Sequence, residues 1–566
     1  MARDPVTERL TAPGSPFEME ERTIRGVATR VWKNAPPSLA AVLTASRAHG
    51  TRDFCVYEGE RLDFEQHHQR AARFARALVA HHGVRRRDRV AIAMRNTPEW
   101  SVAFFGAAAA GAIVVPLNGW GTGEELAYAL GDCGATVLVA DAQRIERLRE
   151  HRGGLDLHTV IGVRTGAAAD VAPFEDVIAS AAADATLPDV GLGPEDDATL
   201  FYTSGTSGRP KGALGTHRNI CGNAVSLAFV GARAALRAGL GPEELAARAR
   251  EPQASLLAVP LFHVTGCHGV LLGALVQGSK LVMMVRWDPE RALELIEEEG
   301  VTSFGGVPAM VRQLLDAPSF PKRDTHTLQS ISYGGAPAPP ALLERVAQAL
   351  PGAAAANGYG ITETSSVLSL NTGADYLERP DSAGLPLPVC DLRVVDEQGN
   401  EAPPGALGEL HVRGPNVVKG YWNAPSATAE AFDAGWFKTG DLVLLDADGF
   451  LTVADRAKDV VIRAGENITC AEVEAVLFAH PDVEEAAVIG VPHPVLGEEV
   501  GAVVRPRPGH RPTAETLRAA VADRLAAFKV PAHVWIDPEP FPRNAAGKVL
   551  KRELRSRWAP PAGPPG

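Results

Sequence analysis

Between residues 89 and 350, short and continuously apolar runs alternate with longer amphipathic stretches. RVAIAM (89–94), AIVVPL (112–117) and TVLVAD (136–141) read as strands buried on both faces, since they lack polar alternation. Helix starts separate them. Thr97-Pro98 offers a hydroxyl cap with proline at the first helical position, and TGEE (122–125) matches a capping box. The rhythm resumes with SLLAVPLFH (255–263), a helix over 269–278, KLVMMV (280–285) and a helix opened by Asp288-Pro289. LQSISYGG (328–335) and a helix near 339–350 continue it. The alternation predicts an α/β protein with doubly wound, mainly parallel sheets.

After about residue 385 the pattern changes. DLRVVDEQGN, GELHVRG and DLVLLDADGFLTVADR read as short strands joined by Gly/Asp turns, a β-rich subdomain. Past Arg456 a small α+β unit follows, with a strand in KDVVIRAG, a helix capped by Thr469 with Glu472 three residues later, and a helix near 513–527. The expected division is residues 1–455 and 456–566, the second ending in a disordered WAPPAGPPG tail.

Two apolar stretches bear on membranes. VAFFGAAAAGAIVVPL (102–117) is split by Gly111 and stopped by Pro116, so it reads as a buried helix followed by a strand. The Ala/Arg-rich stretch containing Arg233, Arg237, Arg248 and Arg250 reads as a solvated amphipathic helix. No transmembrane segment is expected, and the N-terminus has no apolar run of a signal peptide.

With 566 residues, 45% hydrophobic and 22% charged, the chain has the make-up of a globular protein of two or more domains. Its net charge of −12 argues against a nucleic-acid partner. Cys55, Cys133, Cys221, Cys267, Cys390 and Cys470 form no C-x-x-C pair and read as reduced, buried thiols of a cytoplasmic protein.

The candidate chemistry starts at YTSGTSGRPKG (202–212). Thr203, Ser204, Thr206 and Ser207 surround Gly205 and Gly208, with Lys211 close behind. Glycines let backbone N–H groups turn toward an anion, hydroxyls add donors and the lysine adds a charge. The run fits neither G-x-x-x-x-G-K-[ST] nor G-x-G-x-x-G. ATLFYTSG delivers it from an apolar strand, which argues for a positioned phosphate loop over a surface linker.

Six further stretches join it in order: PLFHVTG (260–266), GGAPAP (334–339), NGYGITET (357–364), WFKTGD (436–441), DRAKDVVIRAGENIT (455–469) and PRNAAGKVLKREL (542–554). Together they resemble the adenylate-forming, AMP-binding superfamily, in particular its acyl-CoA synthetases, from about residue 40 to 555. The resemblance implies the substrates ATP, a hydrophobic carboxylic acid and coenzyme A, with Mg²⁺. It places Tyr359, Asn357, Gly358, Gly335, Ala336 and Pro337 around the adenine, and Asp441 and Arg456 on the ribose. It puts Thr362 on the α-phosphate, Glu363 on the magnesium and His263 beside the reacting carboxylate. Lys548 would bridge carboxylate and phosphate from a mobile C-terminal domain that turns about Lys458, and Arg463, Ala464 and Gly465 would line the thiol channel. Phe304, Gly305, Gly306 and Ala309 would border the acyl pocket. The alternative is a stand-alone enzyme that loads a carrier protein. Cys470, just inside a helix start, is either a packed thiol or one of lowered pKa, and packing is the preferred reading.

Overall fold

A computed structural model describes residues 4–166, 170–203, 210–241, 243–244, 251–334, 340–456, 459–463, 466–544 and 547–558. Two large sheets form its frame. The first has seven strands in the spatial order Lys211–Thr216, Asp197–Thr203, Ile113–Pro116, Arg89–Ala93, Val137–Asp141, Thr159–Val163 and Ala172–Pro173. All its neighbours are parallel except the first pair. The second has nine strands, with a parallel centre running from Asp53–Tyr57 to Ala354–Tyr359 and antiparallel strands at both ends.

The helices Phe64–Ala80 and Pro98–Ala109 contribute to one core with side chains from both sheets. From Trp100 to Ala109 every residue is buried, which is why VAFFGAAAA shows no polar face. Gly106 permits the close crossing. A Cβ there would lie 2.8 Å from the Phe74 ring and 2.9 Å from the Ala71 carbonyl.

The β-rich subdomain is a five-stranded sheet built on Asp391–Val395, Leu407–Arg413 and Trp436–Leu445, and Leu451–Arg456 pairs with the last of these. Val461–Arg463 opens a separate five-stranded sheet, where the long strands Val483–His493 and Gly497–Pro506 pair and His533–Ile536 runs parallel to the latter.

Several local expectations are corrected. Thr97 makes no capping bond, its hydroxyl lying 3.8 Å from the Met94 sulfur instead. SLLAVPLFH is strand only over Ala254–Leu257, and the expected helix 269–278 is a π-helix, Thr265–Leu271, continuing into Leu272–Gln277. The helix holding Arg233 starts at His217 and is half buried. Arg233 is itself buried and donates to the Leu385 and Pro386 carbonyls. Burial holds its pKa down to about 10. Arg248 and Arg250 lie outside the described residues. By length and composition His217–Arg237 would suffice to cross a membrane, yet 56% of its apolar window is packed inside the protein.

The six cysteines are free and buried. Cys470 is a packed thiol: burial pushes its pKa well up, and Sγ donates to the Asp459 carbonyl at 2.7 Å. Thr469 makes no capping bond to the helix Cys470–Phe478. The Asp455 carboxylate caps it across the chain, accepting from the Cys470 N–H at 2.5 Å and the Ala471 N–H at 3.3 Å. Losing an N-cap acceptor typically costs about 1 kcal/mol. Asp455→Ala should therefore lower the unfolding free energy by that order in denaturant titration, and an unchanged value would remove Asp455 as the cap.

Candidate active site

The strands Asp197–Thr203 and Lys211–Thr216 form an antiparallel hairpin with Thr203 opposite Lys211. Both ends of the connecting loop are anchored. The Tyr128 hydroxyl donates to the Pro210 carbonyl at 3.2 Å, and the Tyr202 hydroxyl to the Asp132 carboxylate at 2.6 Å. Ser204, Gly205, Thr206, Ser207 and Gly208 lie outside the described residues.

From this hairpin a line of contacts leads inward. The Lys211 ammonium lies 5.2 Å from the centre of the Tyr421 ring, and the Tyr421 hydroxyl donates to Glu363 Oε1 at 2.8 Å. Burial and the adjacent carboxylate push the Tyr421 phenol well above its ordinary pKa, so it stays a donor. Glu363 follows Thr362 in a short 3₁₀ turn, Thr362–Thr364, and its carbonyl accepts from the Val418 N–H at 3.0 Å.

The turn is reached through glycines that admit no side chain. A Cβ on Gly334 would lie 2.8 Å from the Gly358 carbonyl, and one on Gly360 only 1.5 Å from the Ser366 carbonyl. Gly335, Ala336 and Pro337 lie outside the described residues. Asn357 donates to the Ser382 carbonyl at 3.3 Å. The Tyr359 hydroxyl donates to the buried Asp441 carboxylate at 2.5 Å, and Asp441 stands opposite Arg456 in strand register. Two motifs some eighty residues apart in sequence thus meet directly.

Beyond the turn, Ser365 and Ser366 adopt positive φ of 55° and 101°, costly for residues with a Cβ. They are held from the π-helix side. His268 Nδ1 lies 3.2 Å from the Ser365 carbonyl, so the proton sits on Nδ1. The Asn223 side chain donates to the His268 carbonyl at 3.0 Å and accepts from the Val367 N–H at 3.2 Å. Asn416 adds a bond to the Thr364 carbonyl at 3.2 Å. His263 precedes the same π-helix with its ring 4.8 Å from that of Phe262. A π-helix at such a place often marks a functional site.

Lys548 lies on the small unit, where that unit meets Val307. Its N–H bonds Asn544 Oδ1 at 2.9 Å, and a Cβ on its neighbour Gly547 would lie 3.5 Å from Val307, just past the strand Ser303–Gly306. Arg312 strengthens the contact by donating to the Glu484 carbonyl at 2.6 Å. Arg463 is not drawn in, since its ion pair, 3.7 Å long, is with Glu499 of its own sheet. Gly465, Ala464 and Lys458 lie outside the described residues. Phe304 belongs to the core, stacked on Trp287 at 5.3 Å, which leaves Gly305 and Gly306 as the small residues at this strand end. Tyr421, His268, Asn223 and Asn416 carry no motif or periodic signal, and only their contacts reveal them.

Lys211 at the end of a strand hairpin and the Glu363 carboxylate tied to it through Tyr421 are the described heart of the site. Residues 43–422 match the AMP-binding enzyme family, and 472–548 match the AMP-binding enzyme C-terminal domain. The chain belongs to the adenylate-forming superfamily of AMP-binding enzymes, acyl-CoA synthetase type. It is 38% identical over 500 residues to a feruloyl-CoA synthase of Amycolatopsis sp, covering 88% of this chain and 94% of the relative. A fatty acid–[acyl-carrier-protein] ligase, ScoC of Streptomyces coeruleorubidus, is 34% identical over 531 residues, covering 92% and 97%. Among solved structures, o-succinylbenzoate CoA synthetase of Bacillus subtilis with its acyl-adenylate superposes with a TM-score of 0.76 at 31% identity, covering 92% of this chain and 98% of that one.

Burial holds His268 and His217 down to about 4 and His67 to about 3, from an ordinary 6.5, so all three are neutral in the folded protein. The unfolded chain takes up protons that the folded one refuses. Their contribution to stability is therefore complete above pH 6.5 and is lost as pH falls from 6.5 toward 4. Denaturant titrations at pH 7 and 5 should show this loss, and His268→Gln should reduce it. An equal acid sensitivity in the variant would contradict the buried neutral imidazole.

Proposed function

We propose that the protein activates a hydrophobic carboxylic acid as its adenylate and transfers the acyl group to CoA. The observation that carries this reading is the line from Lys211 through Tyr421 to Glu363, which sets a cation and a carboxylate at the base of one hairpin. Aromatic acids fit best, as the feruloyl and o-succinylbenzoate names of relatives and the small Gly305 and Gly306 suggest.

In the first half-reaction, Tyr359, Asn357, Gly358 and the 334–337 segment hold the adenine, and Asp441 with Arg456 takes the ribose hydroxyls. Thr203–Gly208 and Lys211 hold the β- and γ-phosphates, and Thr362 contacts the α-phosphate. Mg²⁺ fits as an ion carried on the ATP. Among the described residues no group of three or more His, Cys, Asp or Glu could cage a metal, and Glu363 offers one hard oxygen donor, which suits an ion held largely by phosphates and water. It would neutralise phosphate charge. The substrate carboxylate, beside His263, forms a bond to the α-phosphorus while the α–β bridging P–O bond breaks and its electron pair leaves with pyrophosphate. Lys548 spans the approaching anions, which would otherwise repel. In the second half-reaction the thiol sulfur, its proton lost to water, bonds the acyl carbon, and AMP leaves with the electrons of the acyl C–O bond.

A second reading, transfer to a carrier-bound thiol, is favoured by the similarity to the carrier-protein ligase. Incubation with ATP, CoA and a panel of aryl and fatty acids, followed by mass spectrometry, separates the two. Acyl-CoA, AMP and pyrophosphate are expected. ADP and phosphate would overturn both readings, and accumulation of adenylate alone would favour the carrier.

Lys548→Ala should slow adenylation by about 10²–10³, the usual loss for a preorganised charge. With pre-made acyl-adenylate the same variant should form thioester at nearly the normal rate. Equal losses in both steps would make the role of Lys548 structural.

A further inference from the structure

The stretch that matches the AMP-binding enzyme family begins at residue 43, yet the chain ahead of it reaches the candidate site. Met19–Ile24 and Val27–Trp32 form a two-stranded hairpin joined by Arg25-Gly26. Both turn residues have positive φ, 50° and 80°. Such turns favour Asn-Gly, and a long side chain at the first position carries backbone strain. What the strained position presents is a guanidinium.

Arg25 Nη2 donates to the Val417 carbonyl at 3.1 Å and Nη1 to the Val418 carbonyl at 3.0 Å. Both valines are buried, so their carbonyls need partners. The Val417 carbonyl belongs to the same peptide group as the Val418 N–H, which donates to the Glu363 carbonyl at 3.0 Å. A cation on the oxygen of a peptide polarises it and strengthens the bond its N–H makes. Asn219 adds a second donor to that oxygen at 3.1 Å and holds the Pro415 carbonyl at 2.6 Å. Asn416 bonds the Thr364 carbonyl at 3.2 Å, and Tyr421 the Glu363 carboxylate at 2.8 Å. Segment 416–421 thus grips the Thr362–Thr364 turn by three bonds, while Arg25 and Asn219 hold the segment itself.

The hairpin is a rigid mount for that contact. Trp32 is buried and donates Nε1 to Ser226 Oγ at 2.9 Å. Arg30 donates to the Cys390 carbonyl at 3.3 Å and pairs with Asp391. At the other edge, a Cβ on Gly435 would lie 2.9 Å from Val27, so hairpin and β-rich subdomain meet without a gap.

We propose that Arg25 is a positioning residue for the adenylation half-reaction, acting through the Val417–Val418 peptide on the turn that carries Glu363. The inference rests on the reading of Glu363 as the protein's donor to the magnesium carried on ATP. Its effect is confined to the first step, because pyrophosphate has left before the thiol attacks.

Two measurements test it. The first is titration calorimetry of a non-hydrolysable ATP analogue with and without magnesium. Arg25→Ala should cut the affinity gained from magnesium about fivefold and leave the metal-free affinity unchanged. The second is kinetic. The same variant should lower kcat for ATP–pyrophosphate exchange about tenfold at unchanged KM for the acid. Thioester formation from pre-made acyl-adenylate should keep the wild-type rate. Arg25→Lys, which retains the cation, should recover most of both losses. Arg22→Ala, on the same hairpin but paired only with the exposed Glu20 among the described residues, should change neither. If Arg25→Ala does not fold, Arg25→Gln should show the same reduced gain, since it keeps a donor and loses the charge. An undiminished magnesium gain, or equal losses in metal-free binding and in both half-reactions, would overturn the proposal. A full magnesium gain in Glu363→Gln would overturn the underlying reading of Glu363, and this is measured before the Arg25 variants are compared.

Discussion

The hydrogen bond from Tyr421 to Glu363, beneath the Lys211 ammonium, joins segments that the chain keeps far apart. A half-buried carboxylate without partners would cost more than its packing returns, so this contact and the Val418 N–H to its carbonyl decide where the Thr362–Thr364 turn can sit. The turn in turn requires glycine at 360, where a Cβ would fall inside the Ser366 carbonyl, and tolerates positive φ at Ser365 and Ser366. That strain persists because Asn223, His268 and Asn416 grip the turn from other elements.

This division explains what the sequence could reveal. Thr203–Lys211, Asn357–Thr364 and Asp441 belong to compact Gly-, Thr- and Asp-bearing motifs, so they stand out against their neighbours. The residues that grip them are single polar side chains, Asn223 and His268 in helices and Asn416 and Tyr421 in a connecting segment, and composition gives them no mark. Caps were misread for a related reason. Thr469 has the right type at the right place, but Asp455 occupies the N-terminus of that helix from fifteen residues upstream. Where the cap is local, as with Thr122 and Glu125, the pattern and the structure agree. Arg233 shows the opposite limit: its charge reads as solvated, yet the carbonyls of Leu385 and Pro386 receive it in the interior. The mainly parallel character of the large sheets was legible in the apolar runs because burial on both faces suppresses alternation. The π-helix after His263 had no such periodic signature.

The small unit touches the rest through hydrogen bonds, an apolar approach and the Arg312 guanidinium 4.8 Å from the centre of the Phe478 ring. Arg312 reaches a backbone carbonyl, Gly547 rests against Val307, and Asp455 caps a helix just past Lys458. Each unit has its own closed core. Units that each close their own core and meet through a few such contacts can move relative to one another without unfolding. Asp455 is the instructive member. It lies in the strand Leu451–Arg456, and its partners Cys470 and Ala471 open the helix Cys470–Phe478 of the small unit. The cap therefore fixes the start of that helix against the strand Leu451–Arg456, and any change in how the two sit must break or rebuild it.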